Sequence, residues 1–218
     1  MKEELFKDYV VKKPWGHEYL AYENEELSVW LLYLKHNAET SLHCHPNKKT
    51  SLILLDGKAE ISFITSKIQA NELFKIVIWD RVFHSTKALS ENGIYVFEIE
   101  TPKDKGDLVR VKDKYGRKFK PYEDEKSLVK KTDECLWMED GGNYTFCNKN
   151  ISIESVTKDD EIANIGDDEI IALLGGNIFS ERGDKLLMPG DAVKGDAFKK
   201  FIKEFPYKNN LLLLRIKK

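Results

Sequence analysis

Apolar and polar positions along this chain switch in short bursts and seldom at helical period. Ser28-Val-Trp-Leu-Leu-Tyr-Leu34 is apolar and rich in strand formers, which predicts a β-strand. Thr50–Leu55 and Ala59–Ile64 predict two more, and the Asp56-Gly57 pair between them predicts a hairpin. Further strands are expected at Phe74–Trp79 and at Ile94–Glu100, the latter after the turn Glu91-Asn92-Gly93. No long amphipathic helix separates these runs, so the pattern predicts an all-β sandwich or barrel.

The stretch from about residue 103 to residue 131 is dense in charge and poor in aliphatics, and Tyr115 and Tyr122 within it predict partial order. It reads as a connector over 106–131, between a first domain at 1–105 and a second at 132–218. Beyond it, Ile151–Val156 alternates at period two. Glu169–Leu174 runs into a Gly175-Gly176 turn, and Lys185–Met188 runs into Pro189-Gly190-Asp191. Asp196–Phe205 is expected as a short helix capped by Asp196, and Leu211–Ile216 as a last strand. The halves are weak repeats: Leu52–Ala59 is echoed by Ile171–Ile178, and Lys75–Val82 by Lys185–Ala192. Leu211–Ile216 is apolar on both faces, more than a one-sided strand requires, which predicts a homodimer.

Composition narrows the functional classes. Lys plus Arg number 35 against 37 Asp plus Glu, so nothing marks a nucleic-acid binder. No apolar run is long enough to span a bilayer, and the charged start, Met-Lys-Glu-Glu-Leu-Phe, lacks the core of a secretory signal. Cys44, Cys135 and Cys147 have no metal-finger spacing, and reduced thiols in the cytoplasm are the simplest reading.

All five histidines precede residue 85. In a strand, i and i+2 share a face, so His43 and His45 can enter a barrel lumen while Cys44 points away. His84, at the end of a later strand, would complete a three-imidazole set with positions open for water or substrate. Ordinary core or surface histidines would satisfy the same spacing.

The order His43-Cys44-His45, Gly57, His84 resembles the two motifs of the cupin superfamily. The first motif also carries a Glu, and Thr50 stands there. The second is Pro-x-Gly, two residues, then His, and Trp79-Asp80-Arg81-Val82-Phe83-His84 keeps only the histidine. Lys13-Pro14-Trp15-Gly16-His17-Glu18 and Gly106-Asp107-Leu108-Val109-Arg110…Tyr115-Gly116-Arg117 are similar to segments of the phosphomannose isomerase part of bifunctional mannose-1-phosphate guanylyltransferase/phosphomannose isomerase enzymes. That match spans about residues 13–117.

The resemblance implies a cupin, a double-stranded β-helix or jelly-roll barrel, and a bicupin whose second half is degenerate. It implies a divalent transition metal (Zn, Fe, Ni or Mn) on His43, His45 and His84. It further implies proton transfer on a sugar phosphate or nucleotide sugar in surface-polysaccharide synthesis. Arg117 and Arg110 are the candidates for gripping the anionic substrate, with a structural ion pair to Asp107 or Asp113 as the other reading. Thr50, at the position of the missing carboxylate, and Glu98 are further substrate-binding candidates, and Glu98 or Glu100, on one face of a neighbouring strand, could replace that carboxylate. A non-catalytic cupin that binds a sugar or a partner, and a three-histidine iron dioxygenase, are the alternatives.

Overall fold

A computed structural model describes residues 6–112, 114–116, 125–157, 162, 164–205 and 207–218. The chain divides into two units, residues 1–23 with 28–137 and residues 24–27 with 138–218.

The first unit contains β1 (Tyr9–Lys13), β2 (Gly16–Glu23), β3 (Ser28–Leu34), β4 (Leu42–Cys44), β5 (Lys49–Asp56), β6 (Ala59–Phe63), β7 (Lys67–Ala70), β8 (Lys75–Ile78), β9 (His84–Ala88), β10 (Ile94–Thr101), β11 (Val109–Lys112) and β12 (Leu128–Lys130). They form a seven-stranded sheet, β12-β1-β2-β3-β10-β5-β8, and a five-stranded one, β11-β4-β9-β6-β7. From β3 to β10 the chain crosses between sheets so that β3-β10-β5-β8 faces β4-β9-β6-β7. This is the eight-strand jelly roll, the double-stranded β-helix of the cupin fold.

That topology corrects one local expectation. Asp56-Gly57 does not close a hairpin, because β5 pairs with β8 and β10 while β6 pairs with β7 and β9. The turn instead carries the chain from one sheet to the other. Turn chemistry fixes a reversal of direction and leaves open which strand becomes the neighbour.

Period-two side chains of β3, β5, β6 and β10 supply the interior: Trp30, Leu32, Leu34, Leu52, Leu54, Ala59, Ile61 and Val96 are buried in one cluster. Each large aliphatic buried there contributes about 1.5–3 kcal/mol relative to exposure. Gly16 (φ 154°) lies where β2 meets β3, and a Cβ there would stand 1.9 Å from the Tyr33 carbonyl oxygen. Only glycine permits that approach, and it brings Lys13 and Glu18 onto the barrel. The stretch expected as a connector supplies β11, paired with β4, and β12, paired with β1.

The second unit comprises β13 (Asn143–Phe146), β14 (Lys149–Val156), β15 (Ile170–Phe179), β16 (Lys185–Leu187), β17 (Ala192–Lys194), the helix α1 (Gly195–Glu204) and β18 (Tyr207–Lys217). Its strands form one six-stranded sheet, β13-β14-β18-β15-β16 with β17 on β15. Among the described residues there is no second sheet facing it, so the expected second barrel takes the form of one sheet and a helix. Phe198, Phe201, Ile202 and Phe205 recur at helical spacing and pack on Ile171, Leu173, Leu211 and Leu213.

Three expectations in this unit are revised. Gly175-Gly176 is not a turn, because β15 continues through it with register shifts against β18. Helix α1 has Lys194 at the N-cap and no side-chain cap. The amides of Gly195 and Asp196 donate to the carbonyls of Glu169 and Asp167, so Asp196 is not needed as the cap and sits in the first turn. Leu211, Leu213, Leu214 and Ile216 are all buried within the single chain. The two-faced apolar strand is therefore already covered and gives no reason for a second copy.

Candidate metal centre and its cleft

His43 lies on β4, His45 follows it directly, and His84 opens β9 opposite His43. Their ring centroids are 4.5 Å (His43–His84), 5.0 Å (His43–His45) and 5.6 Å (His45–His84) apart. One ligand atom from each falls within 4.8 Å of the others. Cys44, between the pair, is buried and its thiol is free.

Each imidazole is held from behind by a carbonyl. His43 Nδ1 donates to Ser41 O at 2.7 Å, His45 Nδ1 to Asp107 O at 2.7 Å, and His84 Nδ1 to Val82 O at 3.0 Å. A carbonyl only accepts, so the proton belongs on Nδ1 and the Nε2 lone pair is left to point inward. The Nε2 atoms of His45 and His84 are buried without a hydrogen-bond partner among the described residues. Burial, then the Lys48 charge, holds His84 down to about 4 despite its carbonyl bond. Burial, again followed by Lys48, holds His45 down to about 3. Burial, then His84 and His45, pushes His43 well below the usual histidine value. All three are thus neutral donors at neutral pH, the form that binds a transition metal.

Just before His84 the chain keeps none of the other residues of the motif it resembles. Arg81, at the motif's glycine position, has φ 63°, in the left-handed region glycine prefers. Its amide donates to His45 O at 2.8 Å. Asp107 adds a second tie, accepting from Asn47 N at 2.8 Å and Asn47 Nδ2 at 2.9 Å.

His43 and His45 open on a cleft. Arg110 and Glu98, both expected at the site, line it, and Arg110 Nε donates to Ser41 Oγ at 3.3 Å. Thr50 is buried on β5 opposite Glu100, with its Oγ1 unpartnered among the described residues, and it is not among the residues lining the cleft. Arg117 and Asp113 lie outside the described residues.

Sequence reasoning missed Lys48 and Lys105. Lys48 Nζ donates to Glu100 Oε1 and to Asp104 O, both at 2.8 Å. Lys105 Nζ lies 3.2 Å from the same Glu100 oxygen, 3.5 Å from Glu18 Oε1, and 3.7 Å from the Trp30 ring centroid. Lys13 Nζ approaches Glu18 Oε1 at 3.5 Å. Burial drives Glu98 up to about 7, with Lys105 opposing and Glu100 and Glu18 adding. Burial also acts to raise Glu100, but Lys105 and Lys48 overcome it and bring it to about 2. Lys48 continues the period-two stripe Lys48, Thr50, Leu52, Leu54, which is the signal that it faces inward.

No protein-family model and no curated protein matches this chain. Among solved structures, KdgF from Halomonas sp. is similar over 44% of this chain and 87% of its own, at 16% identity and a TM-score of 0.42. An uncharacterized conserved protein with a double-stranded β-helix domain from Klebsiella pneumoniae matches 44% of this chain and 84% of its own, at 12% identity and a TM-score of 0.41. An RmlC-like cupin protein from Desulfovibrio desulfuricans matches 39% of this chain and 80% of its own, at 20% identity and a TM-score of 0.36. Among the described residues no helix is long and apolar enough to cross a membrane. The eight-strand jelly roll rests on the first unit's own strand order.

Proposed function

We propose that the first unit is a metal-dependent proton-transfer site, an isomerase or epimerase acting on a sugar phosphate or nucleotide sugar. The observation that carries the reading is the set of three imidazoles pinned at Nδ1, with two buried Nε2 atoms left unpartnered. His43, His45 and His84 would hold a divalent Zn, Fe, Ni or Mn ion. When bound, the ion would supply Lewis-acid polarisation of a carbonyl or hydroxyl oxygen.

The chain's own groups support the proton step. Glu98 lines the cleft, and a carboxyl pushed up to about 7 can both accept and release a proton near neutrality. Lys13, Lys48, Lys105 and Arg110 line the cleft with Glu18, Glu98 and Glu100, a mixed polar wall with one more cation than carboxyl, which suits a polar, anionic substrate. Cys44, Cys135 and Cys147 form no disulfide among the described residues, which fits a reducing cytoplasm.

Among the described residues no carboxylate joins the histidine cluster, which favours a second reading, a three-histidine iron dioxygenase. Glu98 and the lysines favour proton transfer over it.

Metal analysis and calorimetric titration with zinc, nickel and ferrous iron test the site. The parent should bind one ion and His84→Ala should lose at least about 100-fold in affinity, while Thr50→Glu should bind more tightly. Solvent deuterium entering the carbon next to the carbonyl of a sugar phosphate tests the chemistry. No metal bound by parent or by Thr50→Glu overturns the site. Metal without exchange leaves a binding module.

A further inference from the structure

We propose that the histidine centre takes up a divalent ion and a small oxyanion as a coupled pair, and that Lys48 is the residue that ties the two together. The inference rests on reading His43, His45 and His84 as a metal site, and it adds a ligand that the three imidazoles alone do not require.

The fixed charges beside the imidazoles set that requirement. Lys48 follows His45 by three residues and lines the same cleft as His43 and His45. It is 2% exposed, and its ammonium donates to Glu100 Oε1 and to the Asp104 carbonyl, both at 2.8 Å. Two anchors hold the charge in place, out of water. Its field acts on both His45 and His84, and at His45 it outweighs the opposing field of Glu100. Arg110, opposite His43 in the β11–β4 pairing, acts on that ring in the same direction. Glu18 and Glu98 also line the cleft, but neither figures among the main charges acting on the three rings. Each imidazole therefore has a fixed cation as its neighbour.

A neutral imidazole gives an ion a lone pair and no charge. Among the described residues no carboxylate joins the cluster. A divalent ion there would keep both charges and would meet Lys48 and Arg110 as well. Like charges repel far more strongly in a desolvated site than in bulk water. An oxyanion that contacts both the ion and Lys48 turns that repulsion into attraction. Lys48 thus disfavours the bare ion and favours the ion–anion pair, which is a positive coupling between two ligands.

Nickel titration of the chelator-treated full chain in a non-coordinating buffer reads this coupling. Acetate and methyl phosphate each offer one oxyanion, and comparing them separates a carboxylate partner from a phosphoryl one. At least one should raise nickel affinity about ten-fold, and nickel should raise the affinity for that anion by the same factor. Lys48→Met should bind nickel alone about ten-fold more tightly than the parent and lose the anion effect. Lys48→Arg keeps the charge and should keep the effect. Nickel affinity indifferent to both anions overturns the proposal and leaves the metal site standing. So does a Lys48→Met protein that retains the coupling or binds nickel alone no better. If Lys48→Met does not fold, the parent's reciprocal titrations and Lys48→Arg decide. A parent that binds no nickel under any of these conditions removes the metal site, and this inference with it.

Discussion

In the second unit the Arg215 guanidinium grips Glu169 through Nε at 2.9 Å and Nη2 at 3.1 Å, and it reaches Glu154 at 2.8 Å and the Asn164 carbonyl at 3.2 Å. In the first unit Lys105 reaches Glu100 at 3.2 Å and Glu18 at 3.5 Å, and Glu100 Oε2 has no hydrogen-bond partner among the described residues. Both clusters take charge out of water, and they differ in the shape of the cation. Arg215 offers a planar fork that two carboxylates and a carbonyl engage at normal length. Lys105 is a point charge that reaches Glu100 and Glu18 and lies over the Trp30 ring. A planar fork held on several acceptors braces a fold, whereas a point charge that lines a cleft also faces whatever enters it.

The largest test of this contrast is Arg215→Ala. It leaves Glu169 buried without its counter-ion and should lower stability by about 3 kcal/mol, read from urea unfolding by circular dichroism. A loss below about 1 kcal/mol would remove the bracing role.

Acid should act on the first unit next. His45 and His84 are held near 3 and 4 in the fold, against 6.5 when free. The unfolded chain thus binds protons first, so their contribution is complete above pH 6.5 and is lost as pH falls towards 4. Glu98, raised from 4.5 to about 7, has the opposite sign: its contribution is complete below 4.5 and lost as pH rises to 7. Two histidines outweigh one carboxyl, and His43 adds to their side. The metal-free chain should lose about 2 kcal/mol between pH 6.5 and 4.5. Trp15, Trp30, Trp79 and Trp137, all four tryptophans, lie in the first unit, so tryptophan fluorescence in urea follows it. Stability that rises on acidification over this range would refute the assignment of neutral imidazoles.

The smallest effect is expected for Lys105→Met. Glu18 keeps Lys13 and Glu100 keeps Lys48, so the loss should be about 1 kcal/mol in the same urea assay. A cost equal to that of Arg215→Ala would mean that both clusters are structural.

Local pattern made the central strands legible. β3, β5 and β10 are apolar because they line the interior, and β3 spans the same residues as its sequence signal. β9 escaped detection because His84-Ser85-Thr86 is polar although buried. β2 mixes His17, Glu18 and Tyr19 because one face of it carries cleft chemistry. The histidine cluster was legible through its two-residue spacing. Lys48 and Lys105 were not, since a lysine in a charged sequence reads as surface, and Lys48 is only 2% exposed. The orienting partner of His45 had no side-chain signal at all, because it is the Asp107 main-chain oxygen.

That oxygen bears on how the unit could be excised. A fragment cut at residue 105 would retain every imidazole and most of the barrel, yet it would lack the acceptor for His45 Nδ1 and the carboxylate clasp on Asn47. It would also lose β11, which flanks His43 on β4. The smallest portable version of this centre therefore extends through Lys112, and grafts or deletion series that stop earlier would carry the ligand residues without their orientation.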